Sequence, residues 1–327
     1  MSTSNGSVHE LATTLSTCTI SGGTDAIQIS QLVHRLNILA KWFDNDLSKA
    51  KAALQGRCVL ELGCGQGDMT VALAHLVQNQ IDDHNHESEN HGNFTTKAGK
   101  ILALDPGDLD YGAPYTLRQA QEHISQSASG LGKCIDWLQY DPIEYLGILS
   151  NGKDENSKTE EFPDFIILAH SIFYLPNEEY FSRLFRALHN AASISQTRKN
   201  RNPPRLLLAE WGMRITSPTA EAHLLAVEIQ KARPIEEGNV QCVIAPTRIV
   251  ELAKEAGWTI EREAWIANPE VDDGKWEVGA VKADTKLDGL EEDSEIRRKY
   301  QRMLELSEKE GGQVKSMDVW TGVFGLG

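Results

Sequence analysis

Several short stretches of this chain carry groups able to do chemistry, and the first is a glycine loop. Gly63-Cys64-Gly65-Gln66-Gly67 follows the apolar run Val59-Leu60-Glu61-Leu62. It precedes Met69-Thr70-Val71-Ala72, where apolar residues begin to recur at helical spacing. Strand, glycine loop and helix in that order let a ligand lie against bare main chain at a helix N-terminus, where free N–H groups await an acceptor. A dinucleotide fingerprint needs G-x-G-x-x-G. Here the third glycine arrives one place early, at Gly67, and Asp68 stands in the fingerprint position. Pyrophosphate would meet the carboxylates of Glu61 and Asp68, so a ligand with a cationic or zwitterionic end suits the loop better. Asp105 closes the apolar run Ile101-Leu102-Ala103-Leu104. With the polar stretch before that run discounted, it falls about 20 residues beyond the glycines, where a carboxylate accepts both hydroxyls of a ribose. Capping the Pro106-Gly107 turn is its alternative role.

The other groups also follow apolar runs. His170, Ser171, Phe173 and Tyr174 come after Phe165-Ile166-Ile167-Leu168-Ala169, at the strand end where an open α/β sheet presents its chemistry. Imidazole takes a proton near neutral pH, so His170 is the candidate general base; hydrogen bonding to a loop carbonyl is the alternative. Glu210 and Trp211 end the run from Arg205 at the same edge. A carboxylate beside an aromatic face suits an amine or another cation, unless Trp211 simply packs under the next helix. Cys64 reads as a small packed side chain rather than a nucleophile. The tract from Gln78 to Gly99 holds Asp82, His84, His86 and His91 without apolar periodicity, and reads as a solvated insertion with no metal site.

Positioning these groups calls for alternating strands and helices. Ile27, Leu32, Val33, Leu36, Leu39, Ala40 and Phe43 give one apolar helical face, a cap from which His34, Trp42 and Phe43 could touch a ligand, with packing as their first reading. Later helices are predicted over 116–125, 143–146, 180–191, 216–232 and 246–256, and a third strand over 134–140. Residues 257–266 and 275–281 read as a terminal hairpin. The expected organisation is a mobile tail over 1–24 and one domain over 25–283, followed by a helical extension over 284–327. The domain includes the cap at about 25–55 and insertions at about 79–99, 151–161 and 195–203.

The run Glu61-Leu62-Gly63-Cys64-Gly65-x-Gly67 closely resembles the first motif of the class I S-adenosylmethionine (SAM)-dependent methyltransferases. The resemblance spans about 56–282 and implies an α/β, doubly wound, mostly parallel sheet of seven strands, the last one antiparallel. It implies SAM as cofactor, with Glu61, Gly63, Cys64, Gly65 and Gly67 against its methionine and ribose part. Asp105 and Pro106 would lie at the sugar, Ala169 at the end of the fourth strand, and Asp141 at the adenine amino group. Asp141 also reads as a plain helix N-cap before Pro142. Residues past the fourth strand would face the transferred methyl group, with His170 as base and Tyr174, Glu210 and Trp211 toward a small-molecule acceptor. Three alternatives stay open: an enzyme that attacks another sulfonium carbon and releases methylthioadenosine, an NAD-dependent dehydrogenase that Asp68 disfavours, and a non-catalytic binding protein.

Composition narrows the partners. The 327 residues carry 47 acidic against 32 basic side chains, a net charge of −15 that repels nucleic acid and anionic membranes. No apolar run reaches the ~20 residues of a membrane span, and the N-terminus lacks a basic leader. Five cysteines without a C-x-x-C pair suggest reduced thiols and a cytoplasmic location.

Overall fold

The computed structural model describes residues 3–22, 25–78, 98–151, 162–199, 202–236, 238–287, 294–309 and 314–327. Helices α1 (Thr3–Ser16), α2 (Ala26–Trp42) and α3 (Leu47–Leu54) precede the first strand, β1 (Cys58–Leu62). Then follow α4 (Asp68–Val77), β2 (Lys100–Leu104), α5 (Leu117–Gln126), β3 (Ile135–Leu138), α6 (Pro142–Asn151), β4 (Phe165–Ala169), α7 (Glu178–Lys199) and β5 (Arg205–Trp211). The remainder is α8 (Glu221–Ala232), α9 (Pro246–Glu255), β6 (Trp258–Ile266), α10 (Gly274–Ala283), α11 (Glu295–Lys309) and β7 (Val319–Leu326).

Seven strands form one sheet in the order β3-β2-β1-β4-β5-β7-β6. The first five are mutually parallel, and β7 runs antiparallel between β5 and β6. All five positions of β1 are buried, as a parallel strand covered on both faces requires. One layer of the core packs α2 and α4 residues such as Leu36, Leu39 and Leu73 on Val59, Ile101 and Ile167. The other packs Phe181, Phe185, Leu188 and Leu252 on Leu60, Ile166, Leu208 and Phe324. Local signals end the elements: Asp25 and Asp46 cap α2 and α3, and Thr116 with Gln119 makes a capping box on α5. Among the described residues no helix is long and apolar enough to cross a membrane.

Four expectations change. The N-terminal segment contains α1, which packs on α2 and buries Ala12, Leu15 and Cys18. Its serines and threonines hide the helical spacing of Val8, Leu11, Ala12 and Leu15. Residues 275–281 are not a strand but lie in α10. Val278 and Val281 face inward at a helical interval while Trp276 is 71% exposed. The antiparallel strand is supplied by Val319–Leu326, so the C-terminal segment is part of the sheet and not only a helical extension. The basic stretch expected as a loop from 195 continues α7 to Lys199. The His/Asp tract of 82–91 and residues 152–161 lie outside the described residues.

Arg214 and Thr216 fasten the chain leading into β7. Arg214 Nε and Thr216 Oγ1 donate to the fully buried Asp318 at 2.7 and 2.8 Å, and Arg214 lies 3.8 Å over the Trp265 ring. Phe324 is enclosed, pairs in register with Leu206 and Ile260, and packs edge-on against Trp320. Phe324→Ala is therefore expected to lower global stability by about 3–5 kcal/mol, read from the urea midpoint. An unchanged main transition would return this segment to the status of an appendage.

Candidate active site

The loop between β1 and α4 keeps the main chain open. Gly63, Gly65 and Gly67 all have positive φ, at 76°, 52° and 96°, a region that side chains other than glycine seldom occupy. A Cβ on Gly63 would stand 2.5 Å from Cβ of Ser171, whereas one on Gly65 would meet nothing within 4 Å. One glycine thus permits close packing and the next leaves open space. Ser171 Oγ donates to the Leu62 carbonyl at 2.9 Å, joining the residue after His170 to the end of β1. Cys64 is buried, and burial pushes its thiol well above the usual range, which suits packing rather than nucleophilic attack.

Asp105 is held for contact with a ligand. Gly65 N–H donates to Oδ2 and Gly107 N–H to Oδ1, each at 2.8 Å. A carboxylate has about four lone-pair sites, so one acceptor position per oxygen remains, the number a vicinal diol needs. The turn-capping role is therefore filled, and the same side chain keeps acceptor capacity that a ribose could use. Pro106 is exposed beside it, and Ala169 is half-buried at the end of β4. Asp141 is engaged differently: its Oδ1 accepts from Ile143 and Glu144 N–H at 2.8 and 3.1 Å, and its Oδ2 accepts from Tyr180 Oη at 2.7 Å. The N-cap role is the one seen, and the expectation of an adenine contact gains no support from it. Glu61 lies 2% exposed under the loop and accepts from Thr70 Oγ1 at 2.7 Å. Burial pushes its carboxyl up to about 7, against the Thr70 bond, and the nearby Asp105 and Asp68 add to the rise.

A second group of polar side chains is buried where β4 and β5 end. His170 adopts φ 53° directly after β4 while its N–H still pairs with the Ala209 carbonyl at 2.8 Å. The left-handed turn aims the ring under α2, where His170 Nε2 meets His34 Nε2 at 2.9 Å. Its Nδ1 makes no hydrogen bond and lies 3.4 Å from Glu210 Oε1. Glu210 is 1% exposed and accepts three main-chain N–H bonds, from Ile172, Phe173 and Trp211. Burial nonetheless pushes its carboxyl up to about 7. The Trp211 ring lies 4.2 Å from His170 and edge-on, at 5.0 Å, to His223. Burial holds His34 and His170 well below the usual histidine range and pushes His223 down to about 3, so all three rings are neutral at neutral pH.

Helices roof this group. Gln31 and Arg35 come from α2, His223 and Gln230 from α8, and Glu277 from α10, with Asp273 just before it. Gln31 donates to Asp273, and Gln230 donates to Glu277 at 2.7 Å. Burial raises both carboxyls above the usual range. Arg35 Nη1 and His223 Nε2 are enclosed without a hydrogen-bond partner. Tyr174 stands at the rim, 50% exposed. The structure therefore brings together His170, Glu210 and Trp211 as the sequence suggests. It adds His34, which the sequence assigns to packing, and Arg35, His223, Asp273 and Glu277, which sequence reasoning missed. The available signal was spacing: Gln31 and Arg35, like Asp273 and Glu277, are polar pairs four residues apart.

Two outcomes follow from this geometry. Asp105→Ala is expected to weaken binding of S-adenosylhomocysteine tenfold or more, since a charge-assisted pair contributes roughly 1.5–3 kcal/mol; equal calorimetric affinity would remove Asp105 from the sugar site. Because burial raises Glu61 from 4.5 to about 7, the folded chain keeps a proton over that interval that the unfolded chain has lost. Its stabilising contribution is complete below pH 4.5 and is lost as pH rises through about 7. Glu61→Gln, which keeps an acceptor for Thr70, should stabilise the protein at pH 8 relative to pH 5 by on the order of 1–3 kcal/mol against the parent. Parallel pH profiles of the urea midpoints would contradict this.

No protein-family model matches the chain. Methyltransferase phomM of Diaporthe leptostromiformis is 25% identical over 305 residues, covering 80% of this chain and 71% of its own length. Methyltransferase phomM' of the same organism is 25% identical over 304 residues with the same coverage. The crystal structure of a cyclopropane-fatty-acyl-phospholipid synthase-like protein from Lactobacillus casei superposes with a TM-score of 0.69 at 23% identity, over 98% of this chain and 99% of that one, and shows the shared fold. The open glycine loop and the tethered Asp105 fit a sulfonium nucleoside at the edge of this sheet. Relatives named methyltransferase match four-fifths of this chain, and its sheet has the strand order and fold of the class I, Rossmann-like SAM-dependent methyltransferases, to which the chain is similar.

Proposed function

We propose that the methyl acceptor is a small molecule carrying a basic nitrogen, bound between the ends of β4 and β5 and helix α10. The observation that carries this reading is the charge of the roofed group. Glu210, Asp273 and Glu277 face it with carboxyls raised by burial, beside the face of Trp211, and Arg35 is the cation that opposes them. An ammonium entering such a site would restore charge balance, and an aromatic face adds about 0.5–2 kcal/mol of cation–π attraction. A phenolate or thiolate would add a negative charge to a site already rich in them.

Gly63, Gly65 and Gly67 would carry the cofactor along bare main chain, with Glu61, Cys64, Pro106 and Ala169 around it and Asp105 on the ribose. When bound, SAM supplies a methyl carbon activated by its sulfonium, so an in-line nucleophile about 3 Å away removes much of the barrier. The chain's own contribution is then to orient the nitrogen between Trp211 and Tyr174, to exclude water beneath α2 and α10, and to remove a proton through the group around His170. The net charge of −15 argues against nucleic acid as acceptor. Five free cysteines fit the cytoplasm.

The test incubates the protein with SAM and panels of primary and secondary amines, phenols and thiols, reading products by mass. S-adenosylhomocysteine should form with amines, and Glu277→Gln should cut that turnover about tenfold while cofactor affinity holds. Turnover confined to phenols or thiols would overturn the amine assignment. Methylthioadenosine as product would overturn methyl transfer itself.

A further inference from the structure

We propose that the acceptor's proton is taken at Nδ1 of His34 rather than by His170, and is passed through His170 to Glu210. The proposal rests on the methyl-transfer reading above and assigns the catalytic contact to a residue on the cap helix.

Neither nitrogen of His170 is open to a ligand. Nε2 faces His34 Nε2 at 2.9 Å, and Nδ1 is enclosed, with Glu210 Oε1 at 3.4 Å. An acceptor bound in the roofed site would find no free lone pair on this ring. Two imidazole nitrogens 2.9 Å apart hold one proton between them: two N–H groups would collide, and two lone pairs would repel. The carboxylate decides which ring owns that proton. Glu210 is locked by three main-chain N–H bonds and its Oε1 lies beside His170 Nδ1, so the proton of His170 belongs on Nδ1. His170 Nε2 is then the acceptor and His34 Nε2 the donor, which leaves the lone pair of His34 on Nδ1. That atom makes no hydrogen bond among the described residues, and an acceptor would reach it beneath α2, where His34 is 2% exposed. The gap of 3.4 Å at Glu210 is longer than a hydrogen bond, and catalytic contacts of this kind tighten when the site fills.

The relay balances. The N–H bond of the acceptor breaks, leaving its electron pair on nitrogen for the new bond to carbon, and the proton goes to His34 Nδ1. The Nε2 proton of His34 passes to His170 Nε2, and the Nδ1 proton of His170 passes to Glu210 Oε1. Both rings end neutral with their protons on the opposite nitrogens, and Glu210 ends as a carboxylic acid; once product leaves, the hops run in reverse and His34 Nδ1 gives the proton to solvent, which restores both tautomers and the carboxylate. Neither buried imidazole has to hold a charge. The resting place is a carboxyl that burial brings up to about 7, close to working pH. The other charged or titratable groups facing the pair are Arg35 from α2, whose charge disfavours a cationic His170, and His223 from α8, which burial keeps neutral. Asp273, just before α10, feels the Arg35 charge, and Glu277 of α10 lies near Asp273 and Glu210. In this scheme His170 is a positioning and relay residue, and its strained turn serves to hold Nε2 against His34.

The test is a long-range proton–nitrogen spectrum of the full chain labelled with 15N-histidine, from pH 6 to 8. The rings are assigned with His34→Gln and His170→Gln. His34 should carry its proton on Nε2 and His170 on Nδ1, both neutral throughout, with a step near pH 7 at His170 Nδ1 that Glu210→Gln abolishes. A proton on His34 Nδ1, or a cationic ring at pH 7.5, overturns the relay, and the wild-type spectrum decides this even where a variant fails to fold. With any amine that turns over, His34→Gln should lower kcat about a hundredfold at pH 7 with KM changed less than about threefold. Much of that loss should return at pH 9, where solvent deprotonates the amine. An equal loss at every pH would reduce His34 to packing. Calorimetry with S-adenosylhomocysteine separates the two levels: lost binding in the wild type sinks the cofactor site, while retained binding with the wrong tautomers sinks only the relay.

Discussion

The close approach of Ser171 to Gly63 holds the working edge of this enzyme together. The strands that carry them, β4 and β1, are neighbours, and any Cβ at position 63 would overlap the Ser171 side chain at 2.5 Å. Glycine also supplies the positive φ at which the chain leaves β1. Because the two turns close on each other, the glycine loop and the turn that presents His170 occupy one space. The Ser171 hydroxyl then bonds the Leu62 carbonyl and fixes the spacing. A donor cofactor and an acceptor must react within about 3 Å, so a shift of the two turns by the width of a methyl group would separate them.

Beyond that contact, the edge is a problem of buried charge. Glu61, Glu210, Asp273 and Glu277 are drawn out of water beneath helices, and an uncompensated ion there would cost several kcal/mol. The chain meets each one locally. Thr70 serves Glu61, three main-chain N–H groups serve Glu210, and glutamines from α2 and α8 serve Asp273 and Glu277. Carboxyls near 7 are the residue of an incomplete compensation, and they leave the site ready for a cation and for a proton. Under the proposed function charge and shape would select together, with Trp211 as the wall, the acids setting the sign and the neutral histidines offering a route for protons.

The cap and the C-terminal segment place these groups, and neither is an ornament on the sheet. Helix α2 contributes His34 and Arg35 from the side that leans on α4, while Trp42 anchors its far end to the Leu208 carbonyl. Helices α8 and α10 are pressed together so tightly that a Cβ on Gly274 would stand 2.9 Å from that of His223. Asp318, Arg214 and Thr216 then lead the chain into β7, whose pairing with β5 runs past Ala209 and Glu210. The part that seems peripheral along the chain therefore braces the strand that carries Glu210.

Local chemistry accounts for what was legible in the sequence. Glycine spacing, an acid at the end of β2 and unbroken aliphatic runs identify the cofactor loop, Asp105 and the parallel strands, because each needs only neighbours in the chain. The same locality makes Asp141 ambiguous, since an N-cap and an adenine acceptor look alike in one dimension and only Tyr180 and the α6 amides show which bonds are made. Residues 275–281 mislead for a related reason: a short apolar alternation fits either period until packing against α8 selects the helix. His34 illustrates the limit most clearly. On an apolar helix face it has no distinguishing mark, and its meeting with His170 depends on folding α2 across the end of the sheet. What the order of amino acids determined by itself was the fold and the glycine loop at its edge, through interactions that act within a few residues. Which buried groups touch, and hence where a proton can go, was decided only by tertiary packing, because those contacts join positions 136 residues apart that share no local signal.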